Sequence, residues 1–397
     1  MNKLPYLTTH LPGIGGQIKT VPDDFHVEEI PLYQPSGEGD HVYLWIEKRG
    51  ITTFQAINQI ARALNISSRK IGYAGLKDAQ AVTQQMLSIE NVSPEQVTVL
   101  SLPKITILSV KRHKNKLKLG HLSGNKFRVK IRQTEQKSLS KVEVISDYLL
   151  KHGIPNYFGQ QRFGYRNNSH RLGFALMQNN NTEFLAEYLG HPQPHETPQI
   201  QHARSAYDAN DLDKALKLWS AVPSSEKSAL QTLIRTEDES KAVNSINKRL
   251  RRLFFSASQS HFFNILLTQR LPTLDKLEFG DVAYIHHNGA CFIVDNPDDE
   301  QARADIFEIS PTGPLFGKKC LAAQGEPGRR EMSVLKLANF ELKNFAVPSL
   351  KLKGGRRPYR IQFSNVHVDW DNCVVISFAV PAGGYATMVL REFMKTN

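Results

Sequence analysis

Residues 71–85, IGYAGLKDAQAVTQQ, constrain this chain more than any other stretch. A short β-type run carrying Ile71 and Tyr73 meets a Gly-x-x-Gly turn, Gly72 to Gly75, then Leu76, Lys77 and Asp78. Small residues follow, ending Val82-Thr83-Gln84-Gln85, ahead of a second β-type run at 86–89. Glycines in front of a lone carboxylate let the backbone approach a ligand closely, because no Cβ stands in the way. The same residue types also build an ordinary β-turn carrying a Lys77–Asp78 pair on the surface. What the rest of the chain sets around Asp78 decides between the two.

Upstream, Phe25, Val27 and Glu29 alternate in the period of a strand, which by itself places Phe25 in a core. Residues 41–48 read as a second strand. Phe54, Ile57, Ile60 and Leu64 recur at the spacing of an amphipathic helix, with Thr52 or Thr53 as its cap. Downstream, β character at 105–110 runs into the basic segment Lys111-Arg112-His113-Lys114-Asn115-Lys116-Leu117-Lys118. Such a run is either a solvated face or a phosphate-binding edge, and its place shortly behind the Asp78 loop raises the second reading. Asn125, directly after Gly124, is either a turn residue with positive φ or a hydrogen-bonding group. A helical pattern spans 141–150, and Gly153 ends it. Residues 154–164, IPNYFGQQRFG, then combine a Pro-Asn turn, the aromatics Tyr157, Phe158 and Phe163, and Arg162. That mix suits nucleotide stacking with phosphate contact, or pinning a junction between two domains.

Beyond Gly164 the character changes. Asparagines are frequent, Pro192, Pro194 and Pro198 punctuate a linker, and helices are expected at 211–219, 225–235 and 254–270. Residues 311–317 read as a turn. The adjacent His286 and His287 point different ways with no third ligand spaced to help, so they read as a turn, not a metal pair. A basic turn at 354–360 carries Arg356 and Arg357. Strands at 361–363, 366–368 and 374–380 lead to a C-terminal helix with Arg391 and Glu392.

A chain of 397 residues is long enough for two domains. Its net charge of +12 and pI near 9.4 favour a polyanionic partner: RNA, DNA or an acidic membrane surface. The three cysteines form no CxxC site, so a reducing, cytoplasmic setting is expected. Neither a signal peptide nor an apolar run of about 18 residues is found, so a soluble protein without membrane association is expected. No obligatory protein partner is evident.

Five separated motifs, running in order from Lys19 to Glu392, resemble those of the tRNA pseudouridine synthase D (TruD) family. Gly75, Lys77, Asp78, Ala81, Thr83 and Gln85 fit its signature, and Lys19, Pro22, Asp24, Phe25, Val27 and Glu29 fit its opening pattern. Residues 120–132, 154–164 and 381–392 match its second strand motif, its PNYFG-type motif and its closing motif. The segments 254–270 and 277–317 resemble the domain inserted in this family. One departure is Ala79-Gln80, where the family often carries a basic residue after the aspartate.

The resemblance implies an α+β pseudouridine synthase fold with a mixed, mostly antiparallel sheet. Its catalytic domain would comprise 1–157 and 345–397, interrupted by an α-rich insert at 158–344. It implies an isomerase that turns a uridine of tRNA, uridine 13 in this family, into pseudouridine without a cofactor or metal. Asp78 would be the catalytic aspartate and Arg391 its cationic partner, as a basic residue is at this point in other pseudouridine synthase families. Phe25, Asn125, Phe127, Tyr385 and Lys77 would hold the substrate base. Lys111, Arg112, Lys114, Arg162, Arg356 and Arg357 would contact RNA phosphates along a basic cleft between the domains. Two other classes stay in view. A non-catalytic RNA-binding protein would not need Asp78 and Arg391. A nucleotide hydrolase would need a second carboxylate or a metal-ligand cluster, and the sequence offers neither.

Overall fold

The alternating segments pair into strands in the computed structural model, which describes residues 4–219, 224–347, 350 and 352–396. Its first part runs through β1 (Phe25–Pro31), β2 (His41–Arg49), α1 (Thr53–Ala63), β3 (Ile71–Tyr73) and β4 (Val82–Glu90). The short α2 (Pro94–Thr98), β5 (Ile105–His113), β6 (Leu122–Ile131) and α3 (Leu139–His152) follow. α1 starts where a capping box forms. Thr52 Oγ1 accepts from the Gln55 N–H at 3.1 Å, and Gln55 Oε1 accepts from the Thr52 N–H at 2.8 Å. Ala56, Ile57, Ile60 and Ala61 form its buried stripe, whereas Phe54 stays half-exposed against Tyr73.

The chain divides into two compact units, one of Tyr6–Ile154 with Ile361–Asn397, the other mainly Pro155–Arg360. The crossing segments are the two-residue strands β7 (Ile154–Pro155) and, on the return, β12 (Arg360–Ile361). Between them lie the helices α4 (Ser169–Met177), α5 (Asn181–Leu189), α6 (Pro198–Asp208), α7 (Leu212–Leu218), α8 (Ser225–Thr236), α9 (Glu239–Ser245) and α10 (Lys248–Arg270). β8 (Val282–Ile285), β9 (Cys291–Ile293), α11 (Pro297–Asp305), β10 (Ile309–Leu315), α12 (Gly325–Leu337) and β11 (Gly355–Pro358) complete this unit. The basic segment 248–252 is the first part of α10, which starts before the expected residue 254. Pro198 opens α6, where a missing N–H costs nothing, so it is not a linker residue.

Two expectations are corrected here. Residues 311–317 are not a turn: Pro311 to Leu315 belong to β10, which is paired on both sides in the order β11-β10-β8-β9. The prolines lack donors but keep acceptors, and the Pro311 carbonyl takes the Tyr359 N–H at 2.9 Å. Gly313 is needed because a Cβ there would stand 2.5 Å from the Tyr359 ring. That pairing also puts residues 352–360, expected in the catalytic domain, into the inserted unit, since Gly355–Pro358 lies in register against 312–315.

The returning chain adds β13 (Ser364–Trp370), β14 (Val374–Pro381) and α13 (Ala386–Met394) to the first unit. The resulting sheet has eight strands in the order β13-β14-β6-β1-β4-β2-β5, with β3 paired to β4. Only β1 and β4 are parallel. Val129 and Ile131 of β6, Ile376 and Phe378 of β14, Ile145 and Leu149 of α3, and Val389 and Phe393 of α13 share one core. A second core joins Val42, Leu44 and Ile46 of β2 to Ile57 and Ile60 of α1. Among the described residues no helix is long and apolar enough to cross a membrane.

The inserted unit has a titratable weak point. His170 and His261 stack at 4.6 Å and 10° among Phe174 and Phe262, and both Nδ1 atoms are buried without a hydrogen-bond partner. Burial pushes His170 down to about 3, helped by His261 and Arg171, and burial is the largest cause that takes His261 down to about 4. Unfolding frees both rings to protonate near pH 6.5, so their contribution is complete above that pH and is lost as the pH falls through the folded values. Acidification from pH 7 to pH 5 should therefore destabilise this unit by about 2 kcal/mol per histidine, read from denaturant unfolding at the two pH values.

Candidate active site

The loop of residues 74–81 joins β3 to β4 and is fixed from several sides. Thr53 Oγ1 accepts from the Lys77 N–H at 2.9 Å and donates to Gln85 Oε1 at 3.0 Å, while the Gln85 amide reaches the Gly75 carbonyl at 3.5 Å. Gln85 thus belongs to the signature because it clamps the loop it follows. Gly72 is required by close approach, since a Cβ there would lie 2.3 Å from the Leu117 carbonyl oxygen. Lys48, fully buried, donates to the carbonyls of Asp78 at 2.8 Å and Ile51 at 2.6 Å. Burial draws the Lys48 ammonium down to about 8, against the pull of the nearby Asp78.

The Asp78 side chain remains 36% exposed. Its Oδ2 forms an ion pair with Lys19 Nζ, and its Oδ1 accepts from the Gln80 N–H at 2.9 Å. Partial burial opposes ionisation, but the Lys19 hydrogen bond, the Gln80 N–H and the charges of Lys19 and Lys48 outweigh it, holding the carboxyl below its ordinary value. Lys19 also lies 4.5 Å above the centre of the Phe25 ring. Its backbone takes φ +59°, a left-handed conformation uncommon for lysine. The surrounding opening motif secures that geometry: Asp24, fully buried, accepts from Arg132 Nη2 at 2.6 Å and Nε at 2.9 Å, and Gln17 bridges to the Arg132 backbone.

Beside Asp78, Lys77 turns inward. Its ammonium pairs with Glu29 Oε2 at 2.8 Å and donates to Asn125 Oδ1 at 2.6 Å, with the Lys77 and Glu29 side chains nearly inaccessible. Glu29 on β1 and Asn125 on β6 are register partners, and Val380 of β14 stands opposite Asn125. Phe25 and Phe127 meet edge to face at 5.9 Å, and Phe127 stacks on Phe378 at 5.3 Å. Both Phe25 and Phe127 are buried, so they floor the site from within the core. Tyr385 stands at the N-cap of α13, partly exposed.

Arg391 does not serve as the ion partner of Asp78; Lys19 does. Arg391 donates to Glu392 at 3.2 Å and lies 4.2 Å over the Tyr6 ring. The reason is its place in α13: Glu392 beside it is fully buried and accepts from the Thr8 N–H at 3.0 Å and Thr8 Oγ1 at 2.8 Å. The Arg391–Glu392 pair therefore fastens the N-terminal segment to the last helix. In sequence Lys19 is only a member of the opening motif, and nothing in its flanking residues announces the backbone turn that aims it at Asp78.

The residues expected on phosphates separate in the same way. Lys111 is exposed on the edge strand β5. Arg112 donates to the Gly39 carbonyl at 3.2 Å, and Lys114 pairs with Glu38 at 2.7 Å with both groups well exposed. Arg162 instead binds Ser256 and Ser260 of α10, and Arg357 binds Asn156 and lies 4.2 Å over the Phe158 ring. Arg356 is removed from the surface altogether, 2% exposed and paired with Glu331 at 2.7 Å. Its guanidinium fork is spent on Glu331 and Thr312 inside the inserted unit.

The whole chain superimposes on a crystal structure from Methanosarcina mazei assigned to the TruD proteins, with TM-score 0.86 and 28% identity, covering 99% of this chain and 96% of that one. Its fold is thus that of a pseudouridine synthase, an α+β enzyme fold of isomerases. It is 44% identical over 393 residues to tRNA pseudouridine synthase D of Geobacter metallireducens, covering 98% of this chain and 97% of that protein. The protein of the same name from Syntrophotalea carbinolica is 44% identical over 394 residues, covering 99% of each. The family model described as tRNA pseudouridine synthase D (TruD) matches residues 2–393, and the chain belongs to that family.

Replacing Lys19 by Met should raise the Asp78 carboxyl, because burial would then be opposed mainly by the Gln80 N–H and the charge of Lys48. Lys19→Arg should hold it low. Carbon-detected NMR titration of the Asp78 carboxyl measures both, and equal titration midpoints in wild type and Lys19→Met would show that Lys19 does not keep Asp78 ionised.

Proposed function

We propose that this chain converts a uridine of tRNA, by family resemblance uridine 13, to pseudouridine in the cytoplasm, with Asp78 as nucleophile and without a cofactor. The observation that carries the reading is the Asp78 carboxylate: clamped by its backbone, held ionised by Lys19, and open to solvent on one side. The reaction breaks the N1–C1′ bond, turns the uracil and joins C5 to C1′. The C5 proton is lost and N1 gains one, so the change is redox-neutral and consumes no second substrate. A fixed anion beside the sugar and base either attacks carbon or offsets positive charge on the ribose.

The polar pair beneath Asp78 fits recognition of the base. Lys77 occupies Asn125 Oδ1, which leaves the Asn125 amide N–H₂ to donate to a uracil carbonyl. Phe25 and Phe127, buried beneath this pair, back the site as an apolar layer rather than as a stacking face. On this reading the unit of Tyr6–Ile154 with Ile361–Asn397 is the catalytic domain, and Lys111, with Arg112 and Lys114 beside it, binds RNA phosphates.

Asp78→Asn keeps the shape and removes the charge. RNA should still bind, while pseudouridine formation falls by about 10³-fold or more, measured by release of tritium from C5-labelled uridine in tRNA. Wild-type turnover in Asp78→Asn would sink the assignment. Separately, Lys111→Gln should weaken binding of all tRNAs alike and flatten the dependence of log K on log salt by about one unit of slope. An unchanged slope would make Lys111 merely solvated.

A further inference from the structure

The aromatic motif at 154–164 offers no ring for stacking, because Tyr157, Phe158 and Phe163 are 0%, 5% and 0% exposed. The next residue, Tyr165, is 75% exposed. Its ring is held rather than loose: the hydroxyl donates to the His195 carbonyl, and the His195 ring meets it edge-on at 4.6 Å. A platform fixed in this way loses little side-chain freedom when another ring lies on it.

Tyr165 stands at a cavity of about 570 Å³ that lies wholly within the inserted unit. Leu172, Tyr188 and Phe254 line its apolar part. Its polar wall is Arg166 and Arg204 around Glu196, the arginine Nε atoms lying 3.4 and 2.9 Å from Glu196 Oε1. Two cations thus enclose this carboxylate. Glu226, which takes the Ser225 hydroxyl at 3.3 Å, is the other acid lining the cavity. Ile200 and Leu253 at the rim are 40% and 45% exposed, an apolar area beside the exposed tyrosine.

The cations outside the cavity complete the pattern. Arg249 lies on α10 three residues before Arg252 and four before Leu253, so it neighbours each of them on the helix surface. Both arginines are exposed, and among the described residues neither side chain is engaged in an ion pair or hydrogen bond. Arg171, next to Leu172, is also exposed and only loosely paired with Glu187 at 3.8 Å. A rigid exposed ring, an apolar recess behind it and uncommitted guanidinium groups on the helix that carries Leu253 are what an unstacked nucleotide requires: a face for the base and charge for the phosphates. A protein partner would use the apolar rim but leaves two adjacent unpaired arginines unexplained.

We propose that this cavity of the inserted unit receives an unstacked nucleotide of the RNA substrate, its base on Tyr165 and its phosphates at Arg249 and Arg252. The proposal rests on the reading that the substrate is RNA, but not on the chemistry at Asp78. It is tested with the full chain carrying Asp78→Asn, so that binding is measured without turnover. Tyr165→Ser should weaken tRNA binding about tenfold, within the range expected for one base–aromatic stack, whereas Tyr165→Phe should bind within about twofold of the parent. Arg249→Gln with Arg252→Gln should lower the salt slope by about 1.4 units, at about 0.7 per single-strand phosphate. tRNA carrying 4-thiouridine should crosslink to peptides containing residues 165–172 or 249–254. Unchanged affinity in Tyr165→Ser together with an unchanged salt slope would overturn the proposal, as would crosslinks confined to other peptides. If the wild type forms no pseudouridine but Tyr165→Ser still loses RNA, the catalytic reading fails and the cavity stands. If pseudouridine forms normally and the cavity variants bind as before, the cavity proposal alone fails.

Discussion

The buried ion pair of Lys77 and Glu29 is the constraint on which the Asp78 loop and its sheet depend. It ties the Asp78 loop to β1, and through Asn125 to β6, in a region with almost no access to water. Two charges are costly to bury, and the cost is offset only if each finds further partners. Here Glu29 Oε1 also accepts from the Met86 N–H of β4 at 3.2 Å, and Lys77 has the Asn125 oxygen. An apolar pair of equal volume could stabilise the fold as well, but it would not fix where the loop lies along the strands. With Lys77 directed inward, the adjacent Asp78 is left on the solvent side. The orientation of the exposed carboxylate is therefore a consequence of the pair beside it.

A second layer of charge acts from the opposite side. Lys48 anchors the Asp78 backbone and Lys19 meets its carboxylate, so one aspartate is set among three lysines that each do something different. Lys48 spends its protons on carbonyls, Lys77 on a carboxylate and an amide, and Lys19 on the functional group itself. Only the last leaves both charges within reach of water, where a substrate can compete for either of them.

Much of this was legible in the sequence. Period-two alternation at Phe25, Val27 and Glu29 gave β1, helical spacing at Ile57 and Ile60 gave α1, and the ordered motifs gave the family and its mixed sheet. Position along the chain fails where a side chain's direction matters. Arg391 and Arg356 are written like surface cations, yet each is committed to a glutamate: Arg391 to the adjacent Glu392, and Arg356 to Glu331 on another element, a pairing that sequence spacing does not reveal. The pairing of Lys19 is hidden in the sequence, since it depends on a left-handed backbone that lysine seldom adopts. Residues 311–317 look like a turn because two prolines and a glycine flank one threonine, and only the ring of Tyr359 packed on Gly313 explains why they form a strand.

The division of the sheet between two distant parts of the chain also sets an order of events during synthesis. β6 and β14 exchange eight register pairs, from Val374 opposite Ile131 to Pro381 opposite Gly124, across a separation of more than two hundred residues. Until the ribosome has released that last strand, β6 has an open edge and α3 lacks the β14 and α13 side chains that share its core. The inserted unit is nearly continuous in sequence, and domains fold as units while the chain emerges. The second structure made is thus the first able to close, and the eight-stranded sheet waits for β14 and α13 with its ends already held at Ile154 and Ile361. Loop closure over that span is less costly once the insert has folded, because the flexible distance to be closed shrinks from the whole insertion to the gap between two neighbouring crossing points.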